Sequence, residues 1–267
     1  MRKEIEQFFS ENKIEYFSAV RYRDCIETAP QIMERESFLP KSVIIFLIPY
    51  YTKKTENLSV YAASLDYHIF IKEITGRLID TLKLYYPEEH FAAYGDHSPI
   101  DERHAALISG LGIMGDSGLL INEKYGTYVF IADVVTSIPP EELSAVKLDI
   151  KHCSHCHRCI DACPTGILSG KGSDCLSAIT QRKGELTENE VELMRKCDTV
   201  WGCDICQEAC PYNKERELTP IDFFFEERID RLTSEYLASL SKEELRRRAF
   251  GWRGRAVLER NLEKLGY

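Results

Sequence analysis

The sequence has no excess of positive charge, no long apolar run and almost no cysteine in its first half. Lys and Arg number 34 against 43 Asp and Glu, a formal net charge of −9. That excludes a chain-wide electrostatic grip on nucleic acid, and leaves such contact to a local basic face. The longest apolar run, residues 43–48, closes at Pro49. It falls far short of the roughly 20 residues that a membrane span needs. No apolar segment follows the charged start Met1-Arg2-Lys3-Glu4-Ile5-Glu6, so no secretory signal is expected and the cytoplasm is the expected location. Low-complexity tracts are absent.

The 267 residues are 44% apolar and 10% aromatic, too rich in apolar side chains for a disordered chain and enough for one large or two modest domains. Ten cysteines are present, nine of them within residues 153–210, with Cys25 apart. In a chain with no secretion signal, that density points to metal or redox chemistry before disulfides. The apolar patterning predicts helices over 2–12 and 67–86, a buried strand over 42–48, and a short strand over 91–94 ending at Gly95-Asp96. A helix is expected over 102–111, then a glycine-rich turn over 110–118 and a second strong strand over 128–135. Pro139-Pro140 marks a boundary. The expected organisation is α+β, in three parts: an α/β domain over 1–145, a cysteine domain over 146–217 and a helical tail over 218–267. The tail ends in a basic stretch containing Arg246, Arg247, Arg248, Arg253, Arg255 and Arg260; it could touch phosphate or form a solvated helix face.

Cys153, Cys156, Cys159 and Cys163-Pro164 form C-x2-C-x2-C-x3-C-P, the spacing with which bacterial ferredoxins hold [4Fe–4S] clusters. Three thiolates on a tight loop each reach a separate iron of one cube, and the fourth, beyond a turn, points to another. Cys203, Cys206 and Cys210-Pro211 form a second, shorter run. Two cubes need eight ligands and the runs supply seven, so the eighth is Cys175 or Cys197. Zinc sites usually pair two separated C-x2-C knuckles, and a three-cysteine run followed by Cys-Pro is atypical of them. His152, His155 and His157 lie among the cysteines and are expected to be solvated or hydrogen-bonded near the clusters. The spacing Gly110-x-Gly112-x-x-Gly115 matches a dinucleotide fingerprint, but it follows a helix instead of a strand. Close backbone approach to a large cofactor is the expectation there.

Longer stretches resemble the epoxyqueuosine reductase family. Gly95-Asp96-His97-Ser98-Pro99-Ile100-Asp101-Glu102-Arg103, followed by Gly110-Leu111-Gly112-Ile113-Met114-Gly115, is similar to the family's "VD(S/T)APxxER…AGLGWxGK". Lys41-Ser42-Val43-Ile44 resembles "RSVI", Tyr61-Ala62 and Asp66-Tyr67-His68 resemble "YA…DYH", and Gly126-Thr127-Tyr128-Val129-Phe130 resembles "GSWFF". Residues 175–180 resemble "CISYLT", Trp201-Gly202-Cys203-Asp204-Ile205-Cys206-Gln207 resembles "YGCDxCQ", and Pro211-Tyr212-Asn213 resembles "PWN". The likeness runs from about residue 40 onward.

The resemblance implies an α/β cobalamin-binding domain joined to a ferredoxin-like domain with two [4Fe–4S] clusters, as in the related reductive dehalogenases. It implies reduction of an epoxide on a modified tRNA nucleoside to an alkene, with an external electron donor and neither DNA nor membrane as partner. By the family pattern Cys175 is the eighth ligand. Cys153, Cys156, Cys159 and Cys210 would hold one cluster, and Cys163, Cys175, Cys203 and Cys206 the other. Asp96 falls on the family's proton donor, although by its residues alone Gly95-Asp96-His97-Ser98 also suits a helix cap or turn. A donor acid should sit in an apolar pocket that raises its pKa. Asp96, Ser117, Gln181, Cys203 and Asp204 fall on positions near the corrin, which the family binds without a histidine below the cobalt. Departures surround the substrate pocket: Asp116 stands for the family's lysine, Ile113 for its tryptophan, and Ala63-Ser64-Leu65 lacks the arginine usual between "YA" and "DYH". The helical-repeat tail that helps typical members hold tRNA is expected to be short here. Two alternatives stay open: a cobalamin enzyme acting on a small epoxide or organohalide, and a two-cluster electron carrier without corrin.

Overall fold

An antiparallel sheet organises the first of two units into which the chain packs in the computed structural model, which describes residues 3–267. Met1 and Arg2, at the start of the expected first helix, lie outside the described residues. The first unit comprises Met1–Pro49 and His68–His155. Its elements are α1 (Lys3–Glu11), β1 (Phe17–Arg21), α2 (Pro30–Met33), β2 (Ser42–Pro49), α3 (Tyr67–Tyr85), β3 (Phe91–Tyr94), α4 (Glu102–Ile108), β4 (Ile113–Met114), β5 (Leu120–Ile121) and β6 (Val129–Thr136). The main sheet runs β1-β2-β6-β3, every neighbouring pair antiparallel.

Every residue of β2 is buried, which explains its unbroken apolar run: both faces of this central strand are covered. Phe46 packs against Phe9 of α1, ring centroids 5.2 Å apart. Val43, Ile45 and Leu47, alternating with it, share a core with Ala105, Leu107 and Ile108 of α4. Each such side chain contributes about 1.5–3 kcal/mol by leaving water. The strand stops at Pro49. α4 is capped by Asp101, whose carboxylate accepts the His104 backbone N–H at 3.1 Å, so the cap lies five positions beyond Asp96. The small β4–β5 hairpin accounts for the glycine-rich stretch. A Cβ on Gly112 would lie 2.6 Å from the Ile121 carbonyl oxygen. The close approach at Gly112 is to the protein's own backbone.

The second unit comprises Tyr50–Tyr67 and Cys156–Tyr267. It holds α5 (Arg158–Ala162), α6 (Leu176–Gln181), α7 (Glu188–Lys196), α8 (Ile205–Glu208), α9 (Ser234–Ser239), α10 (Lys242–Arg246) and α11 (Arg255–Leu265). Capping boxes start α7 (Thr187 with Glu190) and α10 (Ser241 with Glu244). The packing draws other lines than the three expected parts. Residues 50–67 join the cysteine region because Ser59 N–H donates to the Trp201 carbonyl (2.8 Å) and Val200 N–H to the Asn57 carbonyl (2.6 Å). Residues 218–267 join it too: Trp201, Phe250, Leu258 and Leu262 share one core with Leu58 and Ala62. Much of the arginine-rich end is structural. Arg248 is 1% exposed and donates to the Ala63 carbonyl at 2.7 Å. Arg255 donates to the Leu237 and Leu240 carbonyls, and Arg260 to those of Arg182 and Gly184. These three side chains satisfy carbonyls at or just past helix ends, whereas Arg246 and Arg247 are exposed. Among the described residues, no helix is long and apolar enough to cross a membrane.

Candidate functional site

All ten cysteines are free thiols. Cys153 belongs to the first unit, where its N–H donates to the Met114 carbonyl at 2.9 Å. The other candidate ligands belong to the second. There α5, carrying Cys159, packs on α8, carrying Cys206. Burial pushes the Cys206 thiol up to about 12, and its neighbours Cys175, Asp204, Cys163 and Cys159 add to the rise. Cys203 is likewise pushed up to about 12 by burial, then by Cys206 and Cys175. Cys206 thus lies within electrostatic reach of Cys159, Cys163 and Cys175, and Cys203 of Cys175 and Cys206. Cys163 is biased the other way. Burial raises it, but N–H groups of Leu168, Thr165 and Gly166, with the Thr165 hydroxyl, outweigh that and lower it. Backbone donors aimed at sulfur also stabilise cluster thiolates. Cys175, at the N-terminus of α6, is exposed and electrically close to Cys203 and Cys206. Cys197 follows α7 and packs against the Leu176–Ile179–Met194 core; the charge acting on it is that of Lys196.

In the first unit, a cavity of about 500 Å³ has an apolar wall of Ile100, Leu119, Leu120, Val129 and Phe130. Asp96 stands at its rim, two residues past β3. Its φ is +66°, a left-handed conformation that aspartate tolerates better than most residues. Its carboxylate is half exposed, with His68 Nε2 3.6 Å away. Two other acids lie close to Asp96. Glu102 accepts the Asp96 backbone N–H at 3.2 Å. Asp133, in β6, is fully buried. Burial raises both, Glu102 further through the charges of Asp133 and Asp96. Neither was singled out from the sequence, although a lone acid in Val129-Phe130-Ile131-Ala132-Asp133-Val134-Val135 is a visible signal.

The remaining expected residues scatter. Ser117 is half-buried in the β4–β5 turn, near but outside the cavity lining. Gln181 donates to the Ser177 hydroxyl at 2.9 Å and the Tyr61 hydroxyl at 3.3 Å. Asp204 is buried with both oxygens engaged: Oδ1 accepts from the Ser59 hydroxyl (2.6 Å) and Gln207 Nε2 (2.9 Å), and Oδ2 from Val60 N–H (2.7 Å). Its carboxylate ties residues 59–60 to the Cys203–Cys206 loop. His152, His155 and His157 are exposed; His155 Nδ1 lies 2.7 Å from Asp116 Oδ1. The departure Asp116 thus has a histidine partner in place of a lysine's role.

Comparison with known proteins agrees with this layout. Residues 152–213 match the 4Fe-4S double cluster binding domain family. An epoxyqueuosine reductase of Leadbetterella byssophila is 30% identical over 218 residues, covering 76% of this chain and 71% of the relative. One from Cyclobacterium marinum is 32% identical over 185 residues, covering 65% and 59%. The chain thus spans about three fifths to seven tenths of these relatives' length. A crystal structure of epoxyqueuosine reductase with an epoxyqueuosine-modified tRNA-Tyr stem loop superposes with a TM-score of 0.78 at 20% identity, over 98% of this chain and 80% of that one. It shares the fold.

Proposed function

This chain belongs to the epoxyqueuosine reductase family, and on that premise we propose that it reduces the epoxide of epoxyqueuosine in tRNA to the alkene of queuosine, in the cytoplasm. Removing the epoxide oxygen as water consumes two electrons and two protons, so the site must deliver both. Two [4Fe–4S] clusters would pass electrons inward from an external donor, one held by Cys153, Cys156, Cys159 and Cys210, the other by Cys163, Cys175, Cys203 and Cys206. Cobalamin, when bound, would supply a low-valent cobalt nucleophile. The converging free thiols fit the clusters, and the open cavity with one apolar wall fits a face of a broad ring. Ser117, Gln181 and Cys203 would line the corrin.

Asp96 carries the reading. At the rim of that cavity it can hold a proton against the leaving oxygen, and the apolar wall keeps bulk water from competing for it. A bound corrin would cover the half-exposed carboxyl. With a formal net charge of −9, tRNA contact falls to local groups, and binding would weaken steeply with salt.

The test is anaerobic purification, cluster reconstitution and addition of cobalamin, followed by EPR. A stoichiometric base-off cob(II)alamin signal is expected. Intact clusters without retained cobalamin would replace this reading with an electron carrier.

A further inference from the structure

Glu102 lines the cavity, and next to it lies a buried acid that the proposed reaction does not use. Asp133 is a carboxyl in an otherwise apolar strand, 0% exposed, in register with Ile45 of β2 and Tyr94 of β3. The Ser98 hydroxyl and the Glu102 carboxyl face it, yet neither meets an Asp133 oxygen in full hydrogen-bond geometry. Glu102, half-buried at the start of α4, touches Asp133 on one side and accepts the Asp96 N–H on the other. Cys25 and Tyr94 also feel the Asp133 charge, and Glu102 that of Asp96; Asp101 and Arg103 line the cavity beside Glu102, and His68 lies 3.6 Å from the Asp96 carboxylate. An isolated buried carboxylate is strongly unfavourable, and two in contact do not both ionise. One proton placed between them turns the uncompensated contact into a hydrogen bond.

We propose that Glu102 and Asp133 share one proton as a buried acid pair, and that this pair is the positioning element that holds Asp96 toward the cavity. Left-handed backbone at a non-glycine residue is strained, and the Glu102 carboxyl opposes relaxation of Asp96 by holding its N–H. Burial favours the protonated form of both acids. When the shared proton leaves at high pH, the two charges repel. Asp133 is enclosed by the sheet, so Glu102 is the one that swings outward, and it releases Asp96 as it goes.

The positioning role rests on the proposed part of Asp96; the shared proton does not. Two substrate-free readouts keep them separable. Infrared spectra at neutral pH should show a neutral carboxylic-acid band, removed by Asp133→Asn and shifted in frequency by Glu102→Gln, which changes its hydrogen-bond partner. Hydrogen exchange should show the Asp96 amide protected in the wild type and in Glu102→Gln, and unprotected in Glu102→Ala. Protection should fall at alkaline pH in the wild type only. In turnover, Glu102→Ala should lose about 10²-fold in kcat with clusters and corrin retained, the scale of a misplaced reacting group. Glu102→Gln should recover most of that loss and abolish the alkaline fall. Absence of the carboxylic-acid band, equal protection in the alanine variant, or an unchanged alkaline fall in Glu102→Gln would overturn the proposal. The band and protection pattern without turnover on any substrate would sink the reductase reading and leave the pair standing.

Discussion

Replacing Cys175 with alanine should halve the iron content. Cys203 and Cys206 both lie within electrostatic reach of the Cys175 thiol, and Cys206 also of Cys163. On the proposed assignment those four would complete one cube, although Cys206 also feels Cys159. Two [4Fe–4S] clusters bring about eight irons, so loss of one leaves about four. Cys197 offers the contrast. It packs with Leu193 and Leu186 against an apolar core, and the charge acting on it is a lysine's. Cys197→Ala should keep about eight irons and cost only packing, roughly 1 kcal/mol. The assay is iron and sulfide per chain after anaerobic reconstitution, with EPR of the reduced protein. The wild type should show two interacting clusters, and Cys175→Ala one isolated cluster. The second unit's core around Trp201 is separate from these thiols, so circular dichroism should show the variant folded. A Cys197→Ala protein with half the iron, beside a Cys175→Ala protein with all of it, would refute the ligand set.

Asp96→Ala should abolish epoxide reduction while leaving the corrin EPR signal and iron content unchanged; wild-type turnover would remove Asp96 from the chemistry. Gly202→Ala should destabilise the second unit by about 1–3 kcal/mol, because Gly202 has φ +76° and its Cβ would lie 2.5 Å from the Ser59 Cβ; urea unfolding with the midpoint unmoved would contradict this. Stability should also fall as pH rises. Glu102 and Asp133 bind protons more tightly folded than unfolded, burial being the first cause for each. Above the unfolded carboxylate range of about 4, the native state therefore holds more protons than the unfolded one, and its advantage shrinks until the native groups have ionised. Thermal melts from about pH 5 to about pH 9 should show this fall, and Glu102→Gln should flatten it. A melting temperature that rises across that window in the wild type would reverse the sign.

The elements with strong local signals were readable in advance. β2, β6, α1 and α3 carry clear apolar periodicity, and the structure places them within a residue or two of expectation. The ferredoxin spacing is local as well, so its cysteines were legible one by one. β1, with the mixed sequence Phe17-Ser18-Ala19-Val20-Arg21, was not. It is a strand because β2 pairs with it, and pairing partners distant in the chain leave no local trace. Residues 50–67 were misplaced for the same reason: their tie to Trp201 is a backbone hydrogen bond across about 140 positions. The site shows the limit most sharply. Asp96 was found through a resemblance, whereas Glu102 and Asp133 gain meaning only when β3 pairs with β6 and sets Tyr94 opposite Asp133. The basic tail failed differently. Arginine composition cannot tell a phosphate contact from a guanidinium spent on carbonyls, and Arg248 is the latter.

The central claim is reduction of the epoxide in tRNA. The direct measurement is incubation of the reconstituted protein, loaded with both clusters and cobalamin, with an epoxyqueuosine-modified anticodon stem loop and a low-potential reductant, followed by nucleoside mass spectrometry. Conversion to queuosine with loss of one oxygen, absent in Asp96→Ala, is the predicted result. No conversion by a protein that carries its full iron and corrin, with reduction of a small epoxide or organohalide in its place, would contradict it.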